Sequence, residues 1–284
     1  MPAKLIKGAK VAERIRGEIT AELNKLRRLT GFVPKLSVML IGENPASLSH
    51  VANIEKQGEE LGFLVKIYRL PTDAHQKEVV KQILKLNGDK DTHGIMLQLP
   101  LPGQIDERAV TMAMDPLKDV EGVHPINLGK LFCDEEGFIP SSAGSVMKMI
   151  EYTGQPILGK LAVVVGRSNI MGKPLSLLLL RRNTSVTICH TYTGNLADIC
   201  READILVSVA GHPGLITRDF VKPGAIVIDV GVTQIGGRLV GDVAFEEVRQ
   251  IAGWLSPVPG GVGPISITML FGNTLQAFKG ITEL

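Results

Sequence analysis

The strongest chemical signal in the chain is Val163–Pro174, VVVGRSNIMGKP. An apolar run ends at Gly166, and a helix is predicted to open near Gly172–Pro174. A glycine at a strand end lets the backbone turn tightly. The helix that follows offers unpaired N–H groups and a positive dipole end to a pyrophosphate. The spacing is G-x-S-x-x-x-G rather than G-x-G-x-x-G, so an ordinary strand-to-helix turn stays open as an alternative. The next predicted strand runs out at Cys189-His190-Thr191. A site built for NAD would place Asp or Glu there for the ribose 2′-hydroxyl. Arg167, Ser168 and Thr191 instead offer a cation with hydroxyls, which suits a 2′-phosphate. The reading favours NADP, with NAD as the alternative, and places Gly166, Arg167, Ser168 and Thr191 against the cofactor.

Two further strand–glycine units, Ala203–Ile216 and Val221–Val232, put Ala210, Gly211, Gly231 and Val232 at strand C-termini. Ligands of open α/β sheets lie at such ends. His212 is either a turn residue or a ligand, and Asp229 either caps its own turn or works on a substrate. The stretch SPVPGGVGP, residues 256–264, is rigid by composition. It is either a linker between domains or a loop whose backbone closely approaches a ligand.

These residues need a scaffold, and apolar periodicity supplies one. Val11, Ile15, Ile19 and Leu23 predict a helix over 11–26, and helices are also expected over 47–61, 75–86 and 108–114. Short apolar runs at 36–41, 64–70 and 94–99 predict strands between them. Residues 115–142 are turn-rich and are read as a loop leading into a linker. A helix over 143–152 follows, and then a second alternating series. Its strands are expected at 161–165, 185–189, 205–208 and 225–229, its helices at 174–181, 195–202, 245–251 and 265–278. The β-α alternation predicts an α/β fold of parallel sheets in two domains.

Composition narrows the function. The 284 residues carry 31 basic and 29 acidic side chains, a net charge of +2, so neither a nucleic-acid nor a polybasic membrane partner is expected. The 44% of hydrophobic residues can bury a sizeable core. Cys133, Cys189 and Cys200 form neither a disulfide framework nor a metal pair, so no metal is expected. No apolar leader or membrane span is visible, and a cytoplasmic location is the expectation.

Several segments together resemble one family along essentially the whole chain. They are Gly42-Glu43-Asn44-Pro45-Ala46-Ser47, Gln98-Leu99-Pro100-Leu101-Pro102, Lys118-Asp119-Val120, His124-Pro125-Ile126-Asn127, the Gly166-Arg167-Ser168 turn, and Pro259-Gly260-Gly261-Val262-Gly263-Pro264. The chain is identified as a divergent member of the bifunctional 5,10-methylenetetrahydrofolate dehydrogenase/5,10-methenyltetrahydrofolate cyclohydrolase family. The resemblance implies a folate-binding domain over 1–145, rejoined by a C-terminal helix within 260–284, and a Rossmann-type NAD(P)-binding domain over 146–259. It also implies a cleft between the domains, a homodimer formed through the cofactor domains, and tetrahydrofolate as one-carbon carrier. The substrate contacts it implies are His50, Leu97, Gln98, Leu99, Glu121, Pro259, Gly260, Gly261, Val262 and Gly263, and Val232 joins the cofactor set. Of these, His50, Gln98 and Glu121 are the candidate catalytic residues.

The chain departs from the family at its active site. The family's helix motif is Y-V-x-x-K, and here those positions hold His50 and Ile54. Four residues on a helix turn through about 400°, so both positions share one face, expected to look into the cleft. The family's lysine handles protons and polarises water, and isoleucine can do neither. Lys56 is about 200° away from Ile54 and cannot replace it. His50 can take over the tyrosine's hydrogen bonds. Glu121 stands where the family has Asp, and Pro140-Ser141-Ser142-Ala143 where it has Pro-Cys-Thr-Pro. The expected activity is NADP-dependent oxidation of 5,10-methylenetetrahydrofolate to the methenyl form, with the hydrolytic step to 10-formyltetrahydrofolate weak or absent. The alternatives are an oxidoreductase acting on another one-carbon or pterin substrate, and a non-catalytic folate-binding paralogue.

Overall fold

Parallel strands joined by helices account for most of the chain, as the alternation requires. The computed structural model describes residues 2–282. The elements run β1 (Lys4–Leu5), α1 (Gly8–Thr30), β2 (Lys35–Ile41), α2 (Pro45–Leu61), β3 (Leu64–Leu70), α3 (Gln76–Gly88), β4 (Gly94–Leu97), α4 (Glu107–Met112), α5 (Pro125–Phe132) and α6 (Ser141–Tyr152). They continue β5 (Leu161–Val165), α7 (Gly172–Arg181), β6 (Ser185–Cys189), α8 (Leu196–Arg201), β7 (Ile205–Ser208), β8 (Ile226–Asp229), β9 (Thr233–Ile235), β10 (Arg238–Val240), α9 (Phe245–Val248), β11 (Trp254–Leu255) and α10 (Gly263–Ile281). The chain divides into two units. One comprises the segment up to Glu13 together with Ser142–Ser266, and the other Arg14–Ser141 together with the segment from Ile267 on.

The first unit holds a six-stranded sheet in the order β1-β11-β8-β7-β5-β6. All its pairings are parallel, with Val165 opposite both Cys189 and Ser208, and Ser208 opposite Asp229. Those residues therefore form one row at the C-terminal end of the sheet. After β5 the chain steps outward to β6, and after β6 it crosses back to β7 on the other side of β5. Such a switch point is where open α/β sheets leave a ligand crevice.

The second unit holds a three-stranded parallel sheet, β3-β2-β4. The same logic puts its switch point at the ends of β2 and β4. Helix α2 opens there, with Asn44 accepting hydrogen bonds from the Ala46 and Ser47 N–H groups and Pro45 in the first turn. It closes at Gly62, whose φ of 86° is the left-handed cap favoured by glycine. From α10, the Phe271 ring packs 4.9 Å from that of Phe63, and Asn273 bonds the carbonyls of Val120 and Ile139.

The expected strands at 64–70, 161–165, 185–189 and 205–208 occur as predicted. Residues 115–142 are not all loop. His124 caps α5 by accepting from the Ile126 N–H, and Asn127 and Leu131 face inward. The first residues do not stay with the second unit. Strand β1 instead pairs with β11 at the sheet edge of the first unit, a link between Lys4 and Trp254 that no local pattern announces.

Candidate functional site

In the second unit the candidate side chains come from three segments that meet at one end of the sheet. Gln98 follows β4, and its N–H donates to the Met39 carbonyl of β2 at 2.9 Å. The Ser47 hydroxyl of α2 donates to the Leu99 carbonyl at 3.3 Å, tying the first turn of α2 to the strand end that carries Leu97, Gln98 and Leu99. His50 lies three residues further along that helix. Ile95 bridges in parallel to Asp119, so Glu121 lies two residues beyond the bridge on one chain, as Leu97 does on the other. His50, Gln98 and Glu121 thus occupy neighbouring elements at one end of the sheet.

Their electrostatics differ. Burial pushes the His50 imidazole below its ordinary value, so it is neutral at pH 7. Gln98 is buried. Its amide nitrogen donates to the Leu99 carbonyl at 2.6 Å, while its Oε1 is without a hydrogen-bond partner among the described residues. An orphaned buried acceptor is costly unless a ligand donor meets it. Glu121 is half-buried as a residue, but its carboxyl lies deep. Burial pushes it up to about 7, although the Ser141 hydroxyl, donating to Oε2 at 2.9 Å, pulls the other way.

Ile54 shares the core-facing stripe of α2 with Val51, Gly58 and Leu61, and it is 0% exposed. The position expected to face a cleft is therefore packed. The departure from the family is an apolar side chain in a dry setting. Lys56 is exposed and lies 4.0 Å from Glu60, on the solvent side of the helix. Lys118 and Asp119, part of a resembling segment, serve the framework. The Lys118 ammonium donates to the carbonyls of Leu86, Asn87 and Asp89 at the end of α3, and Asp119 accepts from the His124 N–H and from Asn127.

In the first unit, Gly166 follows β5 with φ 133°, and a Cβ there would collide with Val209. A Cβ on Gly172 would collide with the Gly166 carbonyl, so α7 begins hard against the strand end. Only glycines permit this approach. The Arg167 and Ser168 side chains are exposed at the turn, and Arg167 lies 5.9 Å from the Tyr192 ring. Gly166 donates to the Cys189 carbonyl, which brings the exposed Thr191 to the same end. The exposed Val232 follows β8, two strands from β5, about 10 Å at ordinary strand spacing. No acidic side chain occupies 189–191, so the residues fit a nucleotide carrying a 2′-phosphate.

Asp229 caps its own turn by accepting from the Gly231 N–H, and burial raises it to about 6. Asp242 was not apparent from the sequence. It is fully buried and binds the loop after β7, and the Gly-Asp that follows a Gly-Gly turn was its only signal. Pro259–Gly263 is also in this unit. Gly8 donates to the Gly260 carbonyl at 2.8 Å, and Pro259 and Gly260 are exposed while Gly261 and Val262 are buried. The loop is thus seated on the start of α1 as well as leading into α10. Among the described residues no helix is long and apolar enough to cross a membrane, and no cluster could hold a metal ion.

Two family descriptions match the chain: "Tetrahydrofolate dehydrogenase/cyclohydrolase, catalytic domain" over residues 6–121, and the "NAD(P)-binding domain" of the same family over residues 140–282. The chain is 48% identical over 282 residues to the bifunctional protein FolD of Streptococcus gordonii, covering 99% of each chain. It is 48% identical over 280 residues to that of Moorella thermoacetica, covering 98% of this chain and 100% of the other. Among solved structures it is similar to the Trypanosoma brucei N5,N10-methylenetetrahydrofolate dehydrogenase-cyclohydrolase (FolD), solved with NADP and an inhibitor. The TM-score is 0.95 at 37% identity, with 100% of each chain covered.

Proposed function

The chain belongs to the tetrahydrofolate dehydrogenase/cyclohydrolase family, and we propose that it oxidises 5,10-methylenetetrahydrofolate with NADP+ while opening the methenyl product poorly. The observation that carries this reading is Ile54, wholly buried on the helix that also bears His50.

The two half-reactions ask for different things. In the first, a hydride leaves the methylene bridge, bound NADP+ accepts it, and the folate becomes a cationic methenyl bridge. No proton moves at the bridge, so this step depends on positioning and on charge. Gln98 Oε1, the negative end of an amide dipole, and the ionised Glu121 carboxylate both favour a nearby cation.

In the second half-reaction, water adds to the cationic carbon and loses a proton. A carbon–nitrogen bond then breaks as that nitrogen takes a proton. General acid–base help at such steps is worth about 10²–10⁴-fold. Ile54 offers no titratable group, and the neutral imidazole of His50 is the proton acceptor on that face of the helix. Residual ring opening therefore depends on His50 and falls at acid pH as the imidazole becomes charged.

On the nucleotide side, the Gly166 turn and the N-terminus of α7 form the pyrophosphate cradle, with Arg167, Ser168 and Thr191 toward a 2′-phosphate and Val232 further along the row. On the folate side we assign contact to His50, Leu97, Gln98, Leu99 and Glu121, and to the loop Pro259, Gly260, Gly261, Val262 and Gly263. Strand β6, with Ile188 41% exposed on it and Tyr192 84% exposed just after it, is an open sheet edge that suits pairing with a second copy, and a homodimer is the expected state in solution.

The test supplies methenyltetrahydrofolate directly. Its enzyme-dependent loss should exceed the buffer rate only slightly, while NADP+-dependent oxidation of the methylene form is readily measured. Ring opening as fast as oxidation overturns the proposal. Binding of folate and nucleotide without turnover would favour a non-catalytic binding protein, and turnover of only another pterin would favour the different-substrate reading.

A further inference from the structure

The six-stranded unit contains a buried carboxylate that the chemistry above does not use. Asp242 is 0% exposed and follows the β9–β10 hairpin. Its Oδ2 accepts from the Ser208 hydroxyl at 2.8 Å, the Ala210 N–H at 2.8 Å and the Gly211 N–H at 3.2 Å, and its Oδ1 accepts from the His212 N–H at 2.7 Å. Three successive backbone donors turned onto one side chain amount to an anion nest filled from within.

The partner carboxylate holds Asp242 itself. Asp229 accepts from the N–H groups of Gly231, Asp242 and Val243 at 2.9–3.0 Å, and its own N–H donates to the Ser256 hydroxyl at 2.7 Å. The loop that Asp242 binds is also the one the Gly166 turn rests on, since Val209 fills the space where a Gly166 side chain would go. A chain of contacts therefore runs from Ser256 through Asp229 and Asp242 to residues 209–212, and on to the turn at the switch point.

We propose that Asp242 is a positioning residue for the nucleotide: its carboxylate fixes the 209–212 loop and, through Val209, the height of the Gly166 turn. The inference rests on the cofactor assignment above. It deepens that assignment by naming what holds the cradle in place. Because the Asp242 carboxylate accepts from Ser208, Ala210, Gly211 and His212 and not from Arg167 or Ser168, it governs how well any nicotinamide dinucleotide seats. It does not govern the choice between one with and one without a 2′-phosphate.

The test is Asp242→Asn, with NADPH and NADH as probes. The amide leaves one acceptor oxygen where four donors converge and turns an NH₂ toward N–H groups, so buried donors lose their partners. The Kd values of NADPH and NADH should both rise, about ten- to a hundredfold and by the same factor, as expected for loss of charge-assisted hydrogen bonds. The KM for methylenetetrahydrofolate should stay within about twofold, and thermal unfolding should remain cooperative. Ser208→Ala removes one donor and leaves the carboxylate in place. It should show the same split at about three- to tenfold, and it carries the test if the Asn variant does not fold. Unchanged nucleotide binding, or a nucleotide Kd and folate KM that rise together, overturns the role of Asp242 alone. Wild-type protein that fails to bind NADPH overturns the cofactor assignment as well.

Discussion

At the strand-end row of the six-stranded unit, the cradle assigned to the pyrophosphate is a main-chain turn, pinned by glycine contacts and by the buried carboxylates Asp229 and Asp242. At the corresponding end of the three-stranded unit, the candidate catalytic groups are side chains, each from a different segment: His50 from α2, Gln98 after β4, Glu121 beyond the Asp119 bridge. A main-chain cradle is set by backbone geometry and is altered only through the few residues that pin it. A side-chain constellation can lose a single member, as at Ile54, while its neighbours stay in place. Chemistry should therefore diverge on the folate side first, with nucleotide binding preserved.

The largest effect that would probe this contrast is expected at Glu121. Replacement by Gln should lower kcat/KM of oxidation about a hundredfold, through loss of a charge-assisted acceptor for ligand N–H groups. The wild-type carboxyl, raised to about 7, is protonated below that pH and ionised above it. The KM for folate should therefore fall as pH rises through about 7, and the profile of the Gln variant should be flat. A pH-independent wild-type KM would contradict the assignment.

Arg167→Ala comes next. The KM for NADP+ should rise about 10- to 100-fold, with NAD+ nearly unaffected. Equal losses for both nucleotides would place Arg167 on the shared part of the ligand and weaken the division between the units.

Ser141→Ala is a smaller perturbation. Its hydroxyl holds the Glu121 carboxylate at 2.9 Å and lowers its pKa. Removing it should raise the folate KM about three- to tenfold and move the pH midpoint upward. An unmoved midpoint would mean that the Ser141 hydroxyl does not help set the Glu121 carboxyl.

The smallest effect concerns framework rather than site. Lys35 lies 2.9 Å from Asp89 and holds that carboxyl down at about 2, well below its ordinary value. A lowered folded-state pKa stabilises above the ordinary carboxylate range, and that stability is lost as pH falls through about 2. Asp89→Asn should lower Tm by no more than about a few degrees at pH 7, given the partial exposure of the pair. The two proteins should converge near pH 2, with oxidation kinetics unchanged throughout.

How much of this was visible in the sequence follows from how local each feature is. The Gly166–Gly172 turn was readable because its glycines answer a local demand, a strand end meeting a helix start. The shared face of His50 and Ile54 follows from helix geometry, but the full burial of Ile54 depends on what packs over α2. Asp242 was hidden because its partners lie 30–34 residues away, and the Glu121–Ser141 bond because it spans 20. Helix α5 was masked by turn-forming neighbours, although His124 followed by Pro125 is a usable start signal. The β9–β10 hairpin had its mark in Gly236-Gly237, both at positive φ, between two short strands. Strands β1 and β11 have two residues each and exist only through their pairing.

The most direct measurement follows NADPH and methenyltetrahydrofolate together in one reaction started from the methylene form. Methenyl folate should accumulate nearly mole for mole with NADPH, and Ile54→Lys should reduce that accumulation. NADPH formed with no methenyl folate standing, 10-formyltetrahydrofolate appearing in its place at an enzyme-dependent rate, would show that an isoleucine at this position does not stop the water step.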